Sequence, residues 1–286
     1  MCNLAATVNG SRQIMQIVSA PAPSLIAYCK ELFAYRQVLR FFIWRDIAVR
    51  YKQTFLGFAW VVIKPLLTML LFSFVFGFIA RFPSENVSYP LFVLAGMLPW
   101  QYFANCSMDS CVALLNNSSL ITKAYFPRLI LPISTITAQS LDLAVNTFLF
   151  VLLVPLLGNW PPLENLLFIP FIAVWTYLLC LGMGIWLAAV TTRYRDIKFL
   201  VTFLVQFGMF LSPIGYGTFL IPGKWVYIYM LNPLVGLIDA YRWVFLGISH
   251  PYLIWTVSYS IAATLLLCLW GILSFKKTEN QLIDLL

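Results

Sequence analysis

Long apolar runs, separated by short polar segments, fill most of the chain beyond residue 56. A helix needs about 20 mostly apolar residues to cross the hydrocarbon core of a bilayer, which is about 30 Å thick. Runs of roughly this length or more, with few charges, lie at residues 57–80, 89–115, 131–157, 165–190, 199–216 and 252–275. The pattern therefore predicts an all-α integral membrane fold with six transmembrane helices.

The segment between the fifth and sixth runs, residues 217–251, is too apolar for an ordinary polar loop. Its two apolar stretches, residues 225–231 and 235–247, are each too short to cross a bilayer as a helix. Irregular backbone at membrane depth is tolerated only against protein or beside a water-filled cavity. We therefore expect two re-entrant or interfacial helices between the last two spans.

A different helical pattern precedes the first run. Apolar side chains at spacings of three and four residues share one helical face: Leu25, Tyr28, Leu32, Tyr35, Leu39 and Phe42. A basic amphipathic helix of this kind is typical of the headgroup layer of a membrane; the alternative is a soluble helix packed on a partner. These patterns divide the chain into an N-terminal tail (1–24), a cytoplasmic amphipathic interface helix with a basic linker (25–56), a transmembrane domain (57–275) and a cytoplasmic tail (276–286).

The 18 Lys and Arg residues are distributed unevenly between the two sides of the predicted membrane. Fourteen fall on one side: Arg12, Lys30, Arg36, Arg40, Arg45, Arg50, Lys52, Lys123, Arg128, Arg193, Arg195, Lys198, Lys276 and Lys277. The other side has Arg81, Lys224 and Arg242, and Lys64 lies near the start of the first run. Because cytoplasmic loops collect Lys and Arg, both termini are predicted to be cytoplasmic. No pattern of a cleaved signal peptide is seen near residue 10.

The composition agrees with a membrane protein. Hydrophobic residues make up 62% of the chain and charged residues only 10%, whereas a soluble domain has roughly 25% charged residues. The net charge of +8 follows from the cytoplasmic loops and needs no nucleic-acid partner. Six cysteines without a CxxC pair and a single histidine, His250, give no reason to expect a disulfide framework or a metal site.

No nucleotide-hydrolysing or catalytic motif is found in the sequence. A P-loop has four residues between its glycines, then Lys and Ser or Thr. The nearest approach has five residues between Gly217 and Gly223, and Trp225 follows Lys224. The acids outside the tails are scattered over different runs and loops, as Glu85, Asp109, Asp142, Glu164 and Asp239 show. We therefore assign no catalytic residue, and an integral membrane glycan-processing enzyme is the weaker alternative.

Five motifs in order carry a family resemblance. They read WRDIAVRYKQTFLG at 44–57 with AWVVIKPL at 59–66, PLF at 90–92 with AGMLPW at 95–100, LITKAYFPRLILP at 120–132, RYRDI at 193–197 and LNPL at 231–234. From about Arg45 onward the chain resembles the membrane permease subunit of polysaccharide-exporting ABC-2 transporters. That family exports O-antigen, capsule and teichoic-acid chains.

The resemblance implies a partnership. A permease of this family forms a homodimer in the bacterial cytoplasmic (inner) membrane and pairs with two copies of a separate P-loop ATPase. The ATPase binds ATP and Mg²⁺, so no cofactor is expected in this chain, and the substrate is a lipid-linked polysaccharide. An ABC-2 exporter of lipid or drug would have the same fold and stays open as an alternative.

The resemblance also assigns a role to the loop between the second and third spans. In the family this cytoplasmic loop is the coupling helix that docks on the ATPase. Carried onto this chain it is Lys123, Ala124, Tyr125, Phe126, Pro127 and Arg128. Because Pro127 cannot continue a helix, we expect a brief helical turn that ends there. The alternative is a simple connector whose basic residues only set the topology.

Arg45, Arg50 and Lys52 are candidates for binding the pyrophosphate headgroup of the substrate, since Arg offers a planar donor fork to phosphate oxygens. Arg45 and Arg50 are five residues apart, so both can face one headgroup only if the helix bends between them. Anchoring to anionic lipid is the alternative.

Aromatic rings suit a path that holds sugars loosely. The candidates for lining the channel are Trp100, Tyr102, Tyr216, Trp225, Tyr227 and Tyr229; the alternative is the aromatic belt at a membrane interface. Three ionisable residues, Lys64, Asp109 and Asp142, lie inside the predicted spans. Such residues usually face a cavity or a partner, so the two acids are either structural or channel-lining. The long side chain of Lys64 can extend to the cytoplasmic interface.

Overall fold

The structure, a computed structural model, describes residues 25–52, 57–85 and 87–279. Within these ranges the regular secondary structure is helical, without strands. The helices are α1 (Leu25–Ala34), α2 (Arg36–Tyr51), α3 (Ala59–Phe72, continued by a π-helical segment Ser73–Ile79), α4 (Tyr89–Asn116), α5 (Ser118–Ile121), α6 (Ile130–Leu156), α7 (Leu163–Leu166), α8 (Ile169–Arg193), α9 (Ile197–Leu211), a 3₁₀ turn (Thr218–Leu220), α10 (Gly223–Tyr229), α11 (Pro233–Leu246) and α12 (Leu253–Glu279).

Four helices are long and apolar enough to cross a bilayer: Ala59–Ile79, Ile130–Leu156, Ile169–Arg193 and Leu253–Glu279. They correspond to the first, third, fourth and sixth runs of the sequence, so the chain is a multi-pass membrane protein. The second run forms α4, which has 28 residues but also several polar ones. The fifth run forms α9, which has only 15 residues.

The fifth run was predicted to continue to residue 216, but α9 ends at Leu211. Pro213 explains the difference, because a proline pushes the residue before it out of the helical region. Ser212 is accordingly extended, with φ −100° and ψ 150°. Residues 212–215 are nevertheless buried, so their backbone polar groups need partners within the protein.

Arg242 on α11 supplies such partners. Its guanidinium donates hydrogen bonds to the carbonyl oxygens of Ile214 at 3.0 Å and Tyr216 at 3.3 Å. The Tyr89 hydroxyl donates to the carbonyl of Gly215 between them. The irregular segment is thus held against α4 and α11, which is the condition for such backbone inside an apolar protein.

The centre of the bundle is the first half of α4, where every residue from Leu91 to Trp100 is buried. Helices α6, α8 and α11 pack around α4, and α12 packs against α8 and α11. The two short helices expected from residues 225–231 and 235–247 are present as α10 and α11. Asn232 caps α11 by accepting a hydrogen bond from the Leu234 N–H at 3.0 Å, and Gly247 ends it in the left-handed conformation with φ +70°.

Part of the apolar face of the N-terminal segment packs on the rest of the chain; the Leu25 and Tyr28 side chains and the predicted tail 1–24 lie outside the described residues. Leu32, Tyr35 and Leu39 lie against a core cluster that includes Phe42 and the ends of α6 and α12. Hydrophobic periodicity cannot distinguish a lipid surface from a protein groove, because both are apolar. The side chains that this segment leaves exposed include Phe33, Phe41, Trp44 and Val49.

Close packing of α8 on α12 depends on Gly182. A Cβ added there would lie 2.6 Å from the backbone nitrogen of Cys268 and 2.8 Å from the carbonyl carbon of Leu267. We therefore expect Gly182→Ala to destabilise the protein by about 1–3 kcal/mol, the usual cost of overpacking. Thermal unfolding in detergent measures this effect. Gly223→Ala is the matched control, since nothing lies within 4 Å of its added Cβ; equal melting temperatures for the two variants would contradict the expectation.

Candidate functional site

Helix α2 runs along the first half of α6, and contacts at three levels fix this arrangement. Near its middle, the Phe42 ring packs 5.5 Å (between centroids) from Phe126, just before α6. One turn later, Asp46 accepts a hydrogen bond from the Ser134 hydroxyl at 2.9 Å. At its end, Arg50 lies 3.3 Å from Asp142, deep in α6. The α2 helix therefore connects the 123–128 loop with the middle of the bundle.

Arg50 joins the two acids that the sequence places inside spans. Its guanidinium lies 2.9 Å from the Asp109 carboxylate on α4 and 3.3 Å from Asp142 on α6. Gln139 donates a hydrogen bond to Asp109, and the Tyr51 hydroxyl donates one to Asp142. We call these five residues the Arg50 cluster. Its charges are paired across three helices, as expected for ionisable groups in a membrane protein.

A cavity of about 200 Å³ adjoins the Arg50 cluster. It lies between α2, α3, α4 and α6, with the exposed side chains of Trp60 and Lys64 at its rim. Its lining is unusually polar for the interior of an apolar bundle. The side chains with polar atoms that line it are those of Arg50, Tyr51, Lys64, Gln101, Tyr102, Asn105, Gln139, Asp142 and Asn146. The remaining lining residues are Gly57, Trp60, Val61, Pro65, Leu98 and Leu143.

The other two headgroup candidates lie apart from this cavity. Arg45 lies 2.7 Å from Asp46 and donates a hydrogen bond to the Asn117 side chain at 2.8 Å. Its guanidinium also lies over the Phe42 ring, 4.6 Å from the centroid. Lys52 is exposed just after the end of α2. The helix continues without interruption from Arg45 to Arg50, so the bend that would let both face one headgroup is absent.

The 123–128 loop is irregular, and the helical turn expected to end at Pro127 comes earlier, as α5. Tyr125 is 83% exposed whereas Phe126 is 8% exposed, so the neighbouring rings point in different directions. The Tyr125 hydroxyl donates to Glu31 on α1 at 3.4 Å, and the Glu31 carboxylate raises the pKa of that hydroxyl. Arg128 bonds to Glu279 at the end of α12. The loop thus contacts both the N-terminal helices and the last helix.

The six aromatic candidates fall into three pairs. Trp100 and Tyr102 are buried inside the protomer; the Tyr102 hydroxyl donates to the Ile136 carbonyl at 3.0 Å. Trp225 and Tyr227 on α10 are 63% and 70% exposed. Tyr229 donates to the Tyr216 hydroxyl at 3.1 Å, and Tyr216 in turn donates to the Phe210 carbonyl at 3.0 Å.

The sequence of residues 37–246 matches the model of the ABC-2 type transporter family. The match covers well over half of the chain. The chain belongs to this family.

Curated relatives of the permease extend the comparison over most of its length. It is 28% identical over 242 residues to the O-antigen export system permease protein RfbA of Klebsiella pneumoniae, which covers 85% of this chain and 92% of the relative. The RfbA of Myxococcus xanthus is 27% identical over 264 residues, covering 90% of this chain and 98% of the relative. The polysialic acid transport protein KpsM of Escherichia coli is 27% identical over 225 residues, covering 73% and 83%.

A second buried polar group in the permease escaped the sequence analysis. Asp239 on α11 accepts hydrogen bonds from Thr218 at 2.8 and 3.1 Å and lies 3.1 Å from His250 Nε2. His250 therefore has a carboxylate neighbour, although its sequence surroundings suggested none. Among the described residues, no group of three or more His, Cys, Asp and Glu gathers as a metal site would require.

The carboxamide side chains that line the cavity were also missed, although the sequence carries a signal for them. Gln101, Asn105 and Asp109 are spaced by four residues on α4, and Gln139, Asp142 and Asn146 by three and four on α6. Such spacing places each set on one helical face. A polar stripe inside an apolar span indicates a cavity or a partner.

Proposed function

We propose that this chain is the channel-forming permease subunit of an ABC transporter that exports a lipid-linked polysaccharide across the bacterial cytoplasmic membrane. A separate ATPase subunit supplies the energy and binds ATP and Mg²⁺. The observation that carries the proposal is the similarity to permeases of O-antigen export and of polysialic acid transport, which spans 83% to 98% of those relatives. The family membership supports the transport role.

The proposed topology has six spans, with α4 and α9 added to the four long apolar helices, and α10 and α11 re-entrant. At about 1.5 Å per residue α4 is about 42 Å long, which is enough to span. The α9 helix alone is about 22 Å long, so the buried segment 212–215 would complete its crossing. Reporter fusions at the two termini test this topology; we expect both in the cytoplasm, and opposite locations would contradict an even number of spans.

The proposed assembly is a homodimer with two ATPase subunits. Apolar side chains along α3 and α9 are exposed in the single chain, Leu67, Leu71, Phe203 and Phe207 among them. A second copy at α3 and α9 would cover part of this surface, and lipid the rest. Cysteine cross-linking between copies at Leu71 or Phe203 tests the assembly, and the absence of cross-links at both would contradict it.

The 123–128 loop is proposed to receive the movement of the ATPase. Exposed Lys123, Ala124 and Tyr125 offer a contact surface, while buried Phe126 touches Phe42 on α2. A displacement of the loop would therefore move α2, whose far end holds Arg50 between Asp109 and Asp142. The geometry supports α2 as the element that transmits movement from the loop to the cavity.

The two aromatic residues of the loop allow this role to be tested. We expect Tyr125→Ala to lower export and ATPase stimulation several-fold without lowering the amount of permease, because its ring is exposed and packs little. Phe126→Ala should instead lower the amount of folded protein, since a buried Phe→Ala change costs about 3–5 kcal/mol. Export assays and membrane immunoblots measure the two effects. Normal export by Tyr125→Ala would remove the docking role.

Headgroup recognition by Arg45, Arg50 and Lys52 remains part of the proposal, with different requirements for each. A phosphate would have to displace two carboxylates to reach Arg50 and one to reach Arg45. Lys52 is exposed and can meet a headgroup without such a rearrangement.

Of the aromatic candidates, Trp225 and Tyr227 are the most accessible for lining the outer channel. Export by Lys52→Ala tests headgroup binding, and export by Trp225→Ala tests lining of the channel. We expect both variants to export less at normal protein levels. Unchanged export by either variant would remove the role of that residue.

Deletion of the gene tests the export function directly. We expect lipid-linked glycan to accumulate inside the cells and surface polysaccharide to fall, and a plasmid copy to reverse both effects. An exporter of drugs or other lipids would leave the surface polysaccharide unchanged, which would overturn the proposal.

A further inference from the structure

Two stripes of polar side chains meet at the cavity beside the Arg50 cluster. Gln101 and Asn105 come from one face of α4, and Gln139 and Asn146 from one face of α6. All four end in carboxamides, which both donate and accept hydrogen bonds. Of the four, only Gln139 takes part in the Arg50 cluster, by its hydrogen bond to Asp109. The other three carboxamides are not needed to pair the charges of that cluster.

One of these carboxamides has an unused acceptor. The Asn146 Oδ1 atom is buried, and no donor from the part of the chain that the structure describes reaches it. A buried amide oxygen without a donor is unfavourable. A ligand that brings a donor to this position would therefore be bound in preference to one that does not.

The charges around the cavity favour a neutral ligand. Arg50, Lys64 and Asp142 line it, and Asp109 holds the other side of the Arg50 guanidinium. An anion near Arg50 would also face the Asp142 carboxylate, and a cation near Asp142 would face Arg50. Two positive and two negative groups leave no net charge to attract an ion.

We propose that this cavity is a binding subsite for a single neutral sugar ring of the exported chain, an inference that rests on the proposed function. Sugar hydroxyls both donate and accept hydrogen bonds, as carboxamides do, and the flat face of Trp60 at the rim suits the C–H groups of a pyranose. The volume of about 200 Å³ lies below the roughly 300–1,000 Å³ of sites for drug-sized ligands. One ring fits that space better than an oligosaccharide.

Saturation-transfer NMR on the purified permease–ATPase complex tests the subsite. The probes are methyl glycosides of neutral hexoses and N-acetylhexosamines, with glycerol phosphate as an anionic comparison. Asn146→Leu removes the unused acceptor and Gln101→Leu removes a carboxamide from the opposite wall. Asn116→Leu, at the exposed end of α4, is the matched control. We expect glycoside binding to weaken about tenfold in each cavity variant, by loss of hydrogen bonds and by steric filling, and to be unchanged in the control.

Three results would overturn the proposal: no transfer to glycosides in the unmodified complex, transfer to glycerol phosphate alone, or undiminished glycoside binding in both cavity variants. If one variant elutes as an aggregate, the result rests on the other variant. If both aggregate, the result rests on competition between glycoside and glycerol phosphate for the unmodified complex. The deletion experiment is independent of these measurements. A chain that restores surface polysaccharide but binds no glycoside refutes the subsite alone, whereas one that fails to restore it refutes the export function.

Discussion

Replacing Arg50 with Met is expected to destabilise the permease by about 1–3 kcal/mol and to stop export. The change leaves the carboxylates of Asp109 and Asp142 without their shared cation, and removing one partner of a buried ion pair typically costs about 3–5 kcal/mol. The cost is lower here because the Arg50, Asp109 and Asp142 side chains are 26%, 44% and 18% exposed, and solvent screens partly exposed charges. Thermal unfolding in detergent and surface polysaccharide measure the two consequences.

A compensating variant separates the charge effect from lost packing. Arg50→Met combined with Asp109→Asn and Asp142→Asn contains no unpaired charge at this position, so most of the stability should return while export stays impaired. Arg195→Met is the matched control, because Arg195 is exposed. A triple variant as unstable as Arg50→Met would show that the ion pairs are not what stabilises this part of the bundle.

Replacing Arg242 with Met is expected to have a comparable or larger effect, about 3–5 kcal/mol, since hydrogen bonds to charged groups are worth about 1.5–3 kcal/mol each. Arg242 is 2% exposed and bonds to two carbonyl oxygens of the segment after α9. Its guanidinium also lies 3.7 Å from the centroid of the Phe92 ring. Without it the carbonyl of buried Ile214 and that of half-buried Tyr216 each lose this donor.

Size-exclusion chromatography and unfolding in detergent measure this second effect. Arg242→Lys keeps the charge but loses the planar fork, so it should fall between the wild type and Arg242→Met. Lys224→Met, an exposed position on α10, controls for the loss of a positive charge. Stability of Arg242→Met equal to that control would mean that the Arg242 hydrogen bonds do not stabilise the segment 212–217.

The positions of the long helices were predictable because the thickness of a bilayer sets the length of each apolar run. The runs that became α3, α6, α8 and α12 agree with the structure to within a few residues at most ends. The early end of α9 was missed, although Pro213 was visible, because apolar residues continue beyond it. The length of an apolar run does not show where a proline restricts the backbone and ends the helix.

The clusters were harder to predict than the helices. Arg50 meets Asp109 and Asp142 across 59 and 92 residues of sequence, and no local pattern specifies that pairing. The helical spacing of polar residues in α4 and α6 could have indicated which faces turn inward, but no prediction was made from it. The direction of α2 could not be read, because its apolar face suits a membrane surface and a protein groove equally well.

The central claim is that the permease provides a path whose movement is driven by a separate ATPase. Reconstitution in proteoliposomes tests it most directly, with the permease alone, the ATPase alone, and both together. ATP hydrolysis and translocation of a lipid-linked glycan are measured in each. ATP-dependent translocation is expected only when both subunits are present. Hydrolysis of ATP or movement of glycan by the permease alone would contradict it.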